Sequence, residues 1–231
     1  MRVTLVQQEV VKKWNATFAS GSDKQYPSLD LVRLEKWHFG GVGQGKMLEY
    51  AFGSGVNLIH LLKCGYTIEA MDAASEAAKL VTRKLNALPE LRERANLHIV
   101  DPNATRLPFD DETFDFVNCM NVLSLLSSPE RVEMLVCELK RVMKPGAKII
   151  LDINGPEADF ARCAEPLGND TYIFRGIDGN EAPVPTYCPA TAESFADFVH
   201  RFFEVDDVGF THHKYFKSEI VEFIVCAHKA A

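Results

Sequence analysis

The chain has 231 residues, with 32 acidic side chains against 25 Lys and Arg, a formal net charge of −7. At 47% apolar and 25% charged it has the composition of an ordinary folded protein, which excludes disorder and collagen-like order. The acid excess, with no basic run longer than Lys12-Lys13, repels a phosphate backbone, so no nucleic acid partner is expected. No apolar stretch approaches the roughly 20 residues of a membrane span, and Met1 to Trp14 holds no apolar signal core, so no membrane association and a cytoplasmic location are expected.

In chain order, residues 4–20 place Leu5, Val6, Val10, Val11, Trp14 and Phe18 on one helical stripe, ended by Gly21-Ser22-Asp23. A second helix starts at Pro27-Ser28, where Ser28 can cap, and stops at Gly40-Gly41. From Lys46, short apolar runs alternate with amphipathic segments. Strands are predicted near 46–50, 67–71, 96–100, 114–119 and 147–153, and helices near 55–64, 74–87 and 129–143, the last ending at the Lys144-Pro145-Gly146 turn. The long stretch 154–190, rich in Gly, Pro, Asn and Asp, predicts a lid or inserted hairpin with a short strand at 171–175. A helix follows from Thr191, whose Thr-x-Glu start is close to a capping box, and strands near 203–211 and 219–227 close the chain. One domain is expected: a helical cap at 1–45, a core at 46–153, the insertion at 154–190 and a closing helix and strands at 191–231. The six cysteines show no C-x-x-C pair and no zinc-finger spacing, so they are expected to fill the core, with no metal site.

The chemistry concentrates in Met47-Leu48-Glu49-Tyr50-Ala51-Phe52-Gly53-Ser54-Gly55, an apolar strand running into a glycine turn and a helix. Glycines there let backbone approach a ligand at the carboxyl end of the first strand, where open α/β sheets bind ligands. A dinucleotide is disfavoured, because Leu58 stands where a third small residue is needed and Glu49 opposes a pyrophosphate. A cationic nucleoside without phosphates meets no such conflict, and S-adenosylmethionine (SAM) is the common one. Asp72, ending the second strand, can accept both ribose hydroxyls, and Asn103 can accept from an adenine amino group.

These segments resemble the class I SAM-dependent methyltransferases: an acid-x-Gly-x-Gly-x-Gly loop, an acid after strand two, Asn103-Ala104 ahead of Leu107-Pro108-Phe109, and Phe114-Asp115-Phe116-Val117. The resemblance covers about residues 46–153. It implies a Rossmann-like α/β fold, a seven-stranded mostly parallel sheet with helices on both faces and a reversed last strand. It implies that Glu49, Ala51, Gly53 and Gly55 form the methionine side and loop, Asp72 the ribose contact, Asn103 and Ala104 the adenine edge, and Met120 a contact to the adenosine. A weaker similarity to ubiquinone-pathway methyltransferases implies that Arg33 contacts the cofactor carboxylate.

The chain departs from the pattern at Ala51, which replaces the first loop glycine and is expected to avoid positive φ; at Phe52, which needs room for its ring; at Asn103, in place of Asp; and at Ser124, where many relatives have His. The expected function is methyl transfer from SAM to an O or N atom of a small-molecule acceptor. Tyr26, His38, Tyr172, Arg175, Tyr187 and His200 are candidates to line the acceptor pocket, and no catalytic residue is assigned. The alternatives are a non-catalytic SAM-binding or accessory protein and an NAD(P)-dependent oxidoreductase. Each residue also has a purely structural alternative: Asp72 as helix cap, Asn103 as turn former, Met120 as core, Arg33 as solvated helix face, and Tyr172, Arg175 and Tyr187 as hairpin packing. His212-His213 alternates across a strand, so the two rings suit surface or packing more than a shared metal.

Overall fold

The computed structural model describes residues 2–41, 43–175, 183–216 and 218–231. Two helices, α1 (Arg2–Ala19) and α2 (Leu29–Trp37), lead into β1 (Lys46–Tyr50), α3 (Val56–Cys64), β2 (Thr67–Asp72), α4 (Ser75–Asn86), α5 (Pro89–Arg92), β3 (Ala95–Ile99) and β4 (Phe114–Cys119). After a 3-10 turn at Leu123–Leu126 come α6 (Pro129–Val142), β5 (Met143–Asn154), α7 (Asp159–Arg162), β6 (Glu165–Gly168), β7 (Thr171–Phe174), β8 (Val184–Tyr187), α8 (Ala192–His200), β9 (Glu204–Tyr215) and β10 (Ser218–His228).

Seven strands form one sheet in the order β3-β2-β1-β4-β5-β10-β9. The first five are parallel, and β10 runs antiparallel to both β5 and β9. This is the mostly parallel Rossmann-like sheet with a reversed strand that the sequence implied. Each face carries its own apolar cluster. Leu48, Val117, Ile149 and Leu151 pack with Val132, Val136 and Leu139 of α6 and Phe195 and Val199 of α8. Met47, Ile68 and Ile150 pack with Leu31 of α2, Leu58, Leu61 and Leu62 of α3, and Val81 and Leu85 of α4. Helices on both faces explain the near-continuous apolar strands, since a parallel sheet is buried on both sides.

Local chemistry sets the boundaries. Ser28 caps α2 by accepting the Leu31 N–H, and Ser128 caps α6 ahead of Pro129 at its first position. Thr191 opens α8 with a true capping box, closed by Ser194 and not by Glu193. At the end of α6 the expected turn is absorbed into the sheet. Met143 already pairs with Phe114, the register slips between Phe114 and Phe116, and Gly146 donates its N–H to the Lys229 carbonyl at 2.8 Å. Part of the expected insertion is a second sheet, β6-β7-β8, while residues 176–182 lie outside the described residues. The cysteines depart from expectation: Cys119, Cys188 and Cys226 are buried, Cys64 is half-buried, and Cys137 and Cys163 are exposed. No helix among the described residues is long and apolar enough to cross a membrane.

Candidate active site

The strands β1, β2 and β4 end at one edge, and the turn after β1 is shaped there by hydrogen bonds to β2. Ala51 and Phe52 donate their N–H groups to the Met71 carbonyl at 2.8 and 3.2 Å, and Gly55 donates to the Phe52 carbonyl at 2.8 Å. Ala51 adopts φ +65°, so the expectation that it avoids positive φ is wrong. The two hydrogen bonds to Met71 hold the left-handed conformation that its Cβ disfavours. Phe52 finds its room in the α3 and α4 cluster, at 4% exposure.

The two glycines serve different ends. Gly53 has φ +52°, and its N–H meets the Asp72 carboxylate (Oδ2) at 2.8 Å. Gly55 starts α3 at φ +78°, and a Cβ there would lie 2.5 Å from Val81 Cγ2, so it permits α3 and α4 to close against each other. The other Asp72 oxygen accepts the Ala74 N–H at 2.8 Å. Asp72 therefore closes a turn just ahead of α4, whose own first residue Ser75 follows an uncapped Ala74, and each oxygen still has a lone pair for a further donor. Burial raises its pKa, and the backbone N–H groups of Ala74, Gly53 and Ala73 oppose that rise.

Above this floor is a cavity of about 490 Å³, within the range of small-molecule sites. Tyr26, Ala51, Phe52, Gly53, Asp72 and Met120 all contribute to its wall. A second hollow of about 270 Å³, lined by Ala104 among others, shares Tyr50, Met71, Val100, Pro102 and Leu126 with it. Asn103 stands beside this hollow; its N–H bonds Asp101 at 2.9 Å, and its Oδ1 is buried without a partner.

Glu49 lies behind the wall and not in it. At 2% exposure it accepts from Asn118 Nδ2 at 2.8 Å, and burial pushes its pKa up to about 8. Asn118 Oδ1 and Asp152 Oδ2 are buried acceptors with no partner, while Asp152 Oδ1 takes the Asn121 N–H at 2.6 Å. The carboxyl ends of the strands thus hold an unpartnered Asn118 oxygen beside two carboxyls, Glu49 and Asp152, that burial keeps toward the protonated form and that a donor or a positive charge would draw back to carboxylate. A ligand carrying donors or positive charge matches that arrangement, as the ammonium, sulfonium, ribose and adenine amino groups of SAM would; a pyrophosphate does not.

Other sequence-predicted residues are placed elsewhere. Arg33 is exposed on α2. His38 is buried with Nε2 3.1 Å from the carbonyl oxygens of both Ile149 and Ala227. Tyr172 and Tyr187 sit in the small sheet, Arg175 follows β7 and pairs with Glu165, and His200 ends α8 on the surface.

The cavity also has walls that the motifs did not announce. α1 contributes Gln7, Val10, Trp14 and Phe18, and β9 and β10 contribute His213, Ile220 and Glu222. Gln7 Nε2 donates to Ser127 Oγ at 2.9 Å and to the Leu125 carbonyl at 3.3 Å, tying α1 across the cavity to the 3-10 turn. Asn15 of α1 accepts the Glu76 N–H at 2.9 Å, helping to cap α4 from outside. Only the stripe on α1 could have been found from sequence. His213 and Glu222 lie about 200 residues from it and gave no local signal.

Known proteins agree with this geometry. Residues 48–151 match the family described as a methyltransferase domain. The phosphatidylethanolamine N-methyltransferase of Cereibacter sphaeroides is 31% identical over 129 residues, 53% of this chain and 55% of that one. This chain spans about half the length, or less, of the curated relatives it matches. A SAM-dependent methyltransferase of Methanosarcina mazei has the same fold, with a TM-score of 0.69 at 23% identity over 81% of this chain and 93% of that one. So does the 1,6-didemethyltoxoflavin-N1-methyltransferase of Burkholderia thailandensis, solved with 1,6-didemethyltoxoflavin and S-adenosylhomocysteine, at a TM-score of 0.66 and 12% identity over 96% and 88%. The acid, glycine turn and strand-two carboxylate all lie inside the segment 48–151 that matches a methyltransferase domain, and the fold that carries them is the one shared with SAM-dependent methyltransferases of known structure.

Proposed function

We propose that the protein transfers the methyl group of SAM to an oxygen or nitrogen atom of a small-molecule acceptor. The observation that carries this is the Asp72 carboxylate, fixed by the Gly53 and Ala74 N–H groups in the wall of a cavity of about 490 Å³. SAM supplies a methyl carbon on a sulfonium that already bears its leaving group. The protein has to align an acceptor lone pair with that carbon and exclude water. Asp72 is assigned to the ribose hydroxyls, Gly53 and Ala51 to the backbone approach, Met120 and Ala104 to the nucleoside, and Asn103 to the adenine amino group. Glu49 acts from behind the turn as a buried counter-charge, and Gly55 by letting α3 and α4 close.

The acceptor is assigned to the part of the cavity where Glu222 and its neighbour His213 contribute to the wall. Glu222 has its pKa raised by burial, then by the nearby Asp30 carboxylate, which suits a base that takes the acceptor's proton. The N-methyltransferase relatives from C. sphaeroides and B. thailandensis support a nitrogen acceptor. Isothermal titration with SAM and with NAD(P)H, followed by a mass-spectrometric search of a metabolite extract for a methylated product, tests the proposal. Saturable NAD(P)H binding without SAM binding rejects it. SAM binding without any product favours an accessory role.

A further inference from the structure

At the end of α3 remote from the cavity, three side chains with metal-binding donors converge. A carboxylate oxygen of Glu35, a ring nitrogen of His60 and the Sγ of Cys64 all lie within 4.8 Å of one another. His60 and Cys64 stand four residues apart on α3, so both side chains leave the same helix face. Their Nε2 and Sγ atoms are 3.6 Å apart. Bonds of roughly 2.0–2.1 Å to nitrogen and 2.3 Å to sulfur, at the tetrahedral angle, put two such donors about 3.6 Å apart around zinc.

Glu35 reaches the pair from α2 and is itself buried, at 6% exposure. The Tyr66 hydroxyl donates to its Oε1 at 2.8 Å, the kind of outer hydrogen bond that holds a ligating carboxylate in place. Thiolate, imidazole and carboxylate together suit a borderline cation such as zinc, and are poor for magnesium or calcium.

The geometry points to a divalent zinc-class site formed by Glu35, His60 and Cys64, with water as a fourth donor, that staples α2 to α3. On binding, a sulfur–metal bond replaces the Cys64 S–H bond and the proton leaves to solvent. The staple lies outside the methyl-transfer site but on the element that follows one of its walls. Tyr26 and Ser28 line the cavity just ahead of α2, and the Ser28 N–H bonds Asn57 Oδ1 at 2.9 Å at the other end of α3. Metal binding therefore braces the helical cap from behind. The cysteine spacing hid the site, because one ligand lies 25 residues upstream of the His60 and Cys64 pair and in a different helix.

The chelator-treated 231-residue chain is titrated with cobalt(II), as a spectroscopic substitute, and with zinc(II) in competition with a chromophoric chelator. The expected result is a thiolate-to-cobalt charge-transfer band that zinc abolishes, and a higher melting temperature with zinc. Cys64→Ser loses both the band and the thermal shift. His60→Ala binds zinc more weakly than the wild type, and Tyr66→Phe weakens binding about 10–100-fold, as loss of an outer-shell partner does. Absence of the band in wild-type protein overturns the proposal whatever the variants do. So does a folded Cys64→Ser, checked by circular dichroism, that keeps wild-type zinc affinity. Neither readout depends on SAM binding or methyl transfer.

Discussion

Asn118 Nδ2 donates to Glu49 Oε2 at 2.8 Å between directly paired positions of β4 and β1, and this one hydrogen bond is the polar partner of a fully buried carboxyl. Its pKa, moved from 4.5 to about 8 by burial, makes the native state hold a proton that the unfolded chain has already lost between those values. Stability of the ligand-free protein therefore falls as pH rises from about 5 to about 8, by on the order of 3 kcal/mol. Glu49→Gln, which keeps an acceptor for Asn118, should flatten that dependence in thermal melts. A wild-type profile as flat as that of the variant refutes the assignment.

SAM binding near pH 7 should release a proton from the same site, because a cation beside Glu49 favours the carboxylate. Titration calorimetry in two buffers of different ionisation enthalpy measures this directly. Equal apparent enthalpies mean that Glu49 does not sense the ligand.

Asp72→Ala should weaken SAM binding by about 1.5–3 kcal/mol, the range for a charge-assisted hydrogen bond. It also removes the acceptor of the Gly53 and Ala74 N–H groups. Asp72→Asn retains an acceptor and should fall between the two. A folded Asp72→Ala with wild-type affinity would remove Asp72 from the ribose.

Gly55→Ala should cost about 2–4 kcal/mol, combining a left-handed non-glycine residue with overpacking against Val81. Because the clash is with one side chain, Gly55→Ala with Val81→Ala should be less destabilised than the sum of the single changes in chemical denaturation. Strict additivity would show that Val81 is not the obstacle.

Glu222→Gln should lower turnover by on the order of 100-fold while leaving SAM affinity within about twofold, as expected for a general base on the acceptor side. Single-turnover methyl transfer, once a product is found, separates the two effects. A parallel loss of SAM affinity would instead place Glu222 at the cofactor.

The sheet was legible because its strands are short apolar runs bounded by turn residues, and the glycine turn after β1 with Asp72 after β2 pointed to the edge where the cavity lies. What escaped has physical reasons. Met143 to Gly146 reads as a turn because Pro145 and Gly146 usually mark one, yet β5 starts there by pairing Met143 with Phe114. The strands β6 and β8 are four residues long and contain proline, too little for a period-two pattern. Ala51 shows that a turn can force positive φ on a residue with a Cβ when two backbone hydrogen bonds hold it. His213 and Glu222 join the cavity only through the antiparallel return of β10, a tertiary event with no local trace.

The walls of the cavity have two origins. Asp72, Gly53 and Met120 come from within residues 48–151, whereas Trp14, Phe18, His213 and Glu222 come from the flanking helix and the returning strands. Descendants of such a protein can exchange one set while inheriting the other unchanged. The two halves of the lining can therefore vary independently, so the shape of the cavity can be remodelled from the flanks while its floor stays as it is.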